Sequence, residues 1–592
     1  MKSFFKIFFA SMLAIIITCV ITGLIFFGII VGLVSSAGDK PVIVKDNSIL
    51  KITLDNEIVD RANDNPLQNF DFMSMTSTKK LGLYDILKDI KKAKTDDKIK
   101  GIYMELTNIS AGAATVEEIR NALLSFKESG KFIISYSDYY SQKAYYLASA
   151  ADKVYINPQG AIDFKGLSAE LMFFKGTLEK LGVEPQIIRH GKFKSAIEPF
   201  ILDKMSPANR EQTITYMKSI WDNLVAGISE SRQITVAELN NLADSMKIEN
   251  ATAALTYKMV DGLKYKDEII SELHTLSGVP EKDKLKFIGL ANYTKVPEKK
   301  EGDKKGLAKH KIAIIYASGE INMGEGEDQK IGSDGLSKVI RKARLDSTIK
   351  AVVFRVNSPG GSALASEVIW REIVLTKQVK PVIVSMGDVA ASGGYYIACP
   401  ADVILADRNT ITGSIGVFGV LWNGQKLLNE KLGVTVDRVT TNTHSDIGSV
   451  FRPMEDSERA IIQKSVEDIY DVFITHVAEG RNIEKAQVDS IGQGRVWSGV
   501  NAKEIKLIDE FGGIERAIEI AKEKANLDNC RIVELPHQKD PMQQIIQQLK
   551  GDSEESTIKQ YLGFSYKYYK NLNELMNIKG VQARLPYFIN IN

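Results

Sequence analysis

Ser392 stands in MGDVAASGGYY between two alanines and two glycines, at a predicted strand-to-helix junction. Neighbours this small leave a serine hydroxyl open to attack a carbonyl. The turn Asn357 to Gly361, in VVFRVNSPGGSA, follows a buried apolar run, and its paired glycines, Gly360 and Gly361, let backbone amides approach an anion closely. The amide of Gly393, next after a serine at a helix start, points where an oxyanion would form, and Gly361 supplies a second donor. One SGG by itself is more often a tight turn in a packed core. Both loops on one parallel sheet point instead to acyl transfer.

Such a serine needs a base, and histidine is the usual one. The next histidine after Ser392 is His444, in TNTHSDIG, a polar stretch that reads as a surface loop. His190, His274, His310, His476 and His537 show no metal-ligand spacing such as H-E-x-x-H. The pattern calls for no metal and no organic cofactor. Lysine remains. Lys194, in KFKSAIEPF after the predicted strand VEPQIIRHG, precedes two small residues and an apolar-rich turn rather than lying in a charge run. A free lysine, with a pKa of about 10.4, is protonated at neutral pH. Burial can lower that value by up to about 3–5 units, so a dry pocket around Lys194 is expected.

The elements that must hold these residues come as one unit written twice. IKGIYMEL at 99–106 and IKAVVFRV at 349–356 coincide under a shift of 250 positions, and their flanks agree in the same register. Each copy alternates amphipathic stretches with short β-branched runs, which predicts an α/β fold with parallel strands and crossover helices. The shift puts Gln142 at the serine position, Lys143 and Ala144 at the two glycines after it, and Ser110 and Ala111 at the Gly360-Gly361 turn. The region of the second copy corresponding to Lys194, RVTTNTHSDIGSVF, contains no lysine. One copy lacks the serine and the other the lysine, so a composite site of Ser392 and Lys194 is expected.

The chain has 592 residues, 76 Lys+Arg against 74 Asp+Glu, a net charge of +2 and 44% hydrophobic residues. That balance excludes a disordered chain and gives no basic face for nucleic acid. Cys19 lies in the apolar N-terminus, and Cys399 and Cys530 are expected to be isolated thiols. Residues 7–34 carry no charge, which is longer than the roughly 20 residues a spanning helix needs, so an uncleaved signal anchor is expected. Lys2 and Lys6 before it and Asp39 after it leave residues 1–6 as a cytoplasmic tail and the body outside the cytoplasm. The expected body is a first repeat at 46–295, a charged linker at 296–309, a second repeat at 310–540 and a C-terminal tail at 541–592 to which no role is assigned.

With FKSAIEPF at 193–200, NSPGGSA at 357–363, GDVAASGGYY at 387–396 and TGSIGV at 412–417, the chain resembles the long, tandem-repeat type of the signal peptide peptidase A (protease IV) family. These are membrane-anchored Ser-Lys peptidases built from two Clp-protease/crotonase-like domains. The resemblance runs from about residue 45 to about 540. It implies Ser392 as nucleophile, Lys194 as general base, Gly361 and Gly393 as the oxyanion hole and Ser414 as a hydrogen-bond partner of the lysine. It also implies a homotetramer at the bacterial inner (cytoplasmic) membrane, with its body on the periplasmic side, degrading cleaved signal peptides and other extended apolar peptides. A non-catalytic scaffold for membrane peptides and a crotonase-like acyl hydrolase are the other function classes the pattern admits.

Overall fold

The structure is a computed structural model that describes residues 2–36, 42–63, 70–71, 76–77, 80–297, 309–327, 329–537 and 581–585. Most of the expected linker at 296–309 and of the tail at 541–592 lies outside the described residues. Helix Lys2–Ser36 precedes the body, and its stretch Phe4–Thr22, of mean hydropathy 2.5, is long and apolar enough to cross a membrane.

The repeat is carried into three dimensions almost residue for residue. In the first copy, helix Leu83–Thr95, strand Ile99–Glu105, helix Ala113–Lys127, strand Phe132–Tyr140, helix Gln142–Ala148 and strand Lys153–Ile162 follow in order. The second copy repeats that order with helix Ser333–Leu345, strand Ile349–Ser358, helix Ala363–Lys377, strand Val382–Ala391, helix Gly393–Ala398 and strand Val403–Ala406. Spacing explains the helices: Leu336, Ile340 and Ala343 bury one face of Ser333–Leu345. The strands are apolar on both faces, as parallel strands covered on both sides must be.

The first copy forms a six-stranded parallel sheet in the order Gly262–Leu263, Lys153–Ile162, Phe132–Tyr140, Ile99–Glu105, Ser48–Ile52 and Lys286–Gly289. The second orders Val496–Ser498, Ile411–Gly413, Val382–Ala391, Ile349–Ser358, Lys311–Ser318 and Arg531–Leu535, parallel except for the antiparallel edge Val496–Ser498. A third sheet draws on both copies and on the tail. From its middle to one edge it runs Glu320–Asn322, Gly360–Ser362, Val581–Arg584, Phe418–Asn423 and Glu184–Arg189.

A buried ionic cluster joins the copies. Arg355, fully buried, contacts Asp60 and Glu118 of the first copy at 2.7 Å each and Ser385 Oγ at 2.8 Å. Asn357 donates to Asp60, and the Ile514 amide donates to Glu118. Burial pushes the Glu118 carboxyl up from its usual range against the pull of Arg355. Nearby, Thr115 of the first copy donates twice to the half-buried Asp388 of the second.

Removing one member of such a cluster leaves the others as buried, uncompensated charges. Arg355→Met is therefore expected to cost about 3–5 kcal/mol of stability, read as a lowered urea midpoint of the full chain. An unchanged midpoint would mean that the cluster does not hold the copies together.

Candidate active site

Strand Val382–Ala391 ends at Ser392, and helix Gly393–Ala398 starts immediately after it. The turn is sharp enough to hold Ser392 at φ 55, a left-handed conformation that is strained for a residue with a side chain. The Ser392 amide donates to Gly413 O at 2.8 Å, and its carbonyl accepts from Tyr396 N at 2.8 Å, so both sides of the strained residue are pinned. Ser414, on the loop after strand Ile411–Gly413, is likewise left-handed, at φ 50.

Lys194 arrives from the other copy. Strand Glu184–Arg189 pairs antiparallel with Phe418–Asn423 over six residues, and this pairing carries the chain into the turn that presents Lys194. Its Nζ lies 2.8 Å from Ser392 Oγ, 3.1 Å from Ser414 Oγ and 3.3 Å from Ser414 O. Lys194, Ser392 and Ser414 are all fully buried. Desolvation alone holds the amine well below its usual 10.5. The Phe418 ring, 5.9 Å from Nζ, forms part of the apolar wall. Among the described residues no histidine hydrogen-bonds to Ser392 or Lys194. Both residues come from one chain, a point that the sequence left open.

Two supports of the lysine carry no signal in the motifs. The Gln212 side chain, on helix Pro207–Arg232, donates to Phe193 O and Ser195 Oγ and accepts from Val496 N, tying the lysine turn to the second copy. Gly494, at φ +82, packs directly on Lys194: a Cβ there would lie 2.6 Å from that of the lysine. The pattern IGQGRVWSG around it, two glycines one residue apart, is the trace that could have marked a close backbone approach.

Gly360, at φ +95, folds the loop back toward Gly393; a Cβ on it would lie 2.6 Å from Gly393 N. The Gly360 turn thus packs against the start of the helix that follows Ser392. At the corresponding place in the first copy the Gln142 carboxamide accepts from Lys165 N and Gly166 N and donates to Gly166 O. Lys143 donates to Ala111 O, and burial lowers its amine from the usual value. That copy is closed by its own side chains. The tail, to which the sequence assigned no role, supplies strand Val581–Arg584 beside Gly360–Ser362. Its short run VQARL is too brief to stand out as a strand.

A serine hydroxyl in contact with a buried amine whose pKa desolvation lowers is equipped to attack a carbonyl. Residues 125–280 and 375–528 match peptidase family S49. The chain is 36% identical to Protease 4 of Haemophilus influenzae, over 86% of this chain and 84% of that one. It is 39% identical to Protease 4 of Salmonella typhi, over 75% and 72%. It is also 34% identical to the chloroplastic serine protease SPPA of Arabidopsis thaliana, over 92% and 78%. Among solved structures, ClpP1 from Listeria monocytogenes aligns with 34% of this chain and 91% of its own at 18% identity and a TM-score of 0.22.

The unfolded chain holds the lysine proton up to about 10.5, and the folded chain gives it up well below that. Between those values the unfolded state binds more protons, so stability at this residue rises with pH. Lys194→Met removes the cost of burying the amine. Its melting temperature should exceed that of the parent at pH 7, and the gap should narrow toward pH 10.5. A gap independent of pH between 7 and 10 would show that the amine is not desolvated.

Proposed function

The chain belongs to peptidase family S49 and is a serine protease; from that premise we propose that Ser392 is its nucleophile and Lys194 its general base. The observation that carries the reading is the 2.8 Å contact of Lys194 Nζ with Ser392 Oγ inside a fully buried site. Ser392 attacks the peptide carbonyl as Lys194 takes its proton, and the amides of Gly361 and Gly393 hold the oxyanion. The protonated lysine then protonates the leaving amine, and a water deprotonated by the same group releases the acyl half. Ser414 holds the lysine amine on the serine.

The substrates of this reading are cleaved signal peptides and other apolar peptides, taken in extended form. A slot between strand edges accepts backbone in that form and excludes folded protein. The helix Lys2–Ser36 tethers the site to a membrane, and Lys2 and Lys6 on its short side favour a bacterial inner membrane with the body on the periplasmic face. The working form is a homotetramer. Support comes from the strips that would repeat the inter-copy pairing of Glu184–Arg189 with Phe418–Asn423. Under the 250-residue shift these are 168–173 and 434–439, which carry no strand among the described residues. Met172, Val434, Val436 and Val439 on them are exposed. Head-to-tail pairing of these strips between copies of the chain closes a ring.

A serine-reactive phosphonate is expected to label wild type and not Ser392→Ala. Lys194→Met should lose about 10²–10⁴-fold in hydrolysis of a synthetic apolar signal peptide. Mixing Ser392→Ala with Lys194→Met should restore nothing, because the two side chains come from one chain. Activity should rise with pH through a value well below 10.5, where the amine loses its proton. Full activity in Lys194→Met would remove the lysine from the mechanism.

Val436→Glu with Val439→Glu should lower the assembled mass measured by light scattering while leaving the fold intact by circular dichroism. Unchanged assembly would exclude these strips as the contact.

A further inference from the structure

Glu198, in FKSAIEPF, is the acid nearest to Lys194 along the chain, and it is fully buried. Desolvation alone acts on the lysine amine, so this carboxylate does not reach it. Its two oxygens accept instead at the start of helix Pro207–Arg232: Ser206 Oγ donates at 2.6 Å, Ser206 N at 3.1 Å and Asn209 Nδ2 at 2.9 Å. Ser206 also caps that helix, accepting from Asn209 N at 3.1 Å, and the positive end of the helix suits an anion. A buried carboxylate costs stability that an apolar side chain of its size would not. Packing alone therefore gives no reason for an acid here.

The bonds run on from Asn209 to the lysine turn. Gln212 Nε2 lies 3.2 Å from Asn209 Oδ1, and the same nitrogen donates to Phe193 O at 3.1 Å and to Ser195 Oγ at 2.9 Å. Phe193 and Ser195 flank Lys194 on either side. Asn209 and Gln212, three positions apart, share one helix face, and both are fully buried. The segment from Phe193 to Glu198 is thus tied to a single helix turn at both of its ends, by Gln212 at one and by Ser206 and Asn209 at the other.

Resting on the Ser-Lys reading above, we propose that Glu198 is a positioning residue for the lysine base: it pins the Lys194 turn to helix Pro207–Arg232 through Asn209 and Gln212, and the helix start keeps its carboxylate off the amine. Both tasks follow from one set of bonds. A slackened turn moves Nζ away from Ser392 Oγ, and a displacement of about 1 Å costs on the order of 10²-fold in rate. A carboxylate released from Ser206 and Asn209 pairs with the amine and favours its protonated form, which takes no proton from Ser392.

The test is the pH dependence of kcat and KM for a synthetic apolar signal peptide. It compares full-length wild type, Glu198→Gln, Ser206→Ala with Asn209→Ala, and that pair combined with Glu198→Gln. A serine-reactive phosphonate, taken to completion, counts the competent sites in each. Per labelled site, Glu198→Gln should lose about 10–100-fold in kcat with KM unchanged. In Ser206→Ala with Asn209→Ala the rise of activity with pH should move up by about 1–3 pH units. Adding Glu198→Gln should return it to the wild-type position, because no carboxylate is left to pair with the lysine. If Glu198→Gln does not fold by circular dichroism, Glu198→Asp, which keeps the charge and shortens the reach, takes its place with the same expected loss. Fewer labelled sites with a wild-type kcat at each would leave Glu198 a purely structural role and overturn the proposal. A pH profile that stays in place when Ser206 and Asn209 are replaced also overturns it. Either result, with activity still lost in Lys194→Met, leaves the Ser-Lys reading standing; full activity in Lys194→Met sinks that reading, and this proposal with it.

Discussion

The amine of Lys194 is buried with no carboxylate among the groups that shift its pKa; desolvation is the whole of it. An ion in such a place costs several kcal/mol, and that cost is what lowers the pKa of the amine. Much of the surrounding architecture serves to keep water and acids away from one nitrogen. The lysine turn is clamped by Gln212 on one side and by Gly494 on the other, and neither clamp carries charge. Two acidic residues of the inter-copy interface, Asp60 and Glu118, are instead gathered on Arg355. Ser392 and Ser414 both sit in strained backbone around the amine, which pinned loops can sustain and mobile ones cannot.

Duplication makes this division of labour possible. A single copy would have to supply a nucleophile turn and a desolvated base from one sheet. On the proposed assignment each copy keeps one of these, and in the first copy Gln142 bonds the loop at 165–166 at the position that corresponds to Ser392. The six-residue pairing of Glu184–Arg189 with Phe418–Asn423 then does what no single copy could, setting the lysine of one against the serine of the other. The composite site depends on the interface between the copies as much as on the residues in it.

The same inter-copy sheet leaves a gap one strand wide between its two halves. Gly360–Ser362 and Phe418–Gly419 are held apart by one strand's width, and Val581–Arg584 occupies the gap with hydrogen bonds to both sides. Backbone pairing of this kind reads an extended chain without reading its side chains.

The repeat, the parallel α/β units and the pairing of Ser392 with Lys194 were legible in the chain itself, because hydrophobic period and shared register are local properties that duplication prints twice. The loss of the serine from one copy and of the lysine from the other is also a fact of sequence. Other features depend on contacts between residues hundreds of positions apart, which no spacing records. Gln212 and Gly494 support the lysine only because the second copy folds against the first. Asp60 and Glu118 meet Arg355 only across that interface. The tail strand becomes visible only where two strand edges stand open to receive it. Local chemistry chose the residues, and tertiary packing decided which of them meet in a dry place, since desolvation belongs to everything around a group and not to the group's own segment.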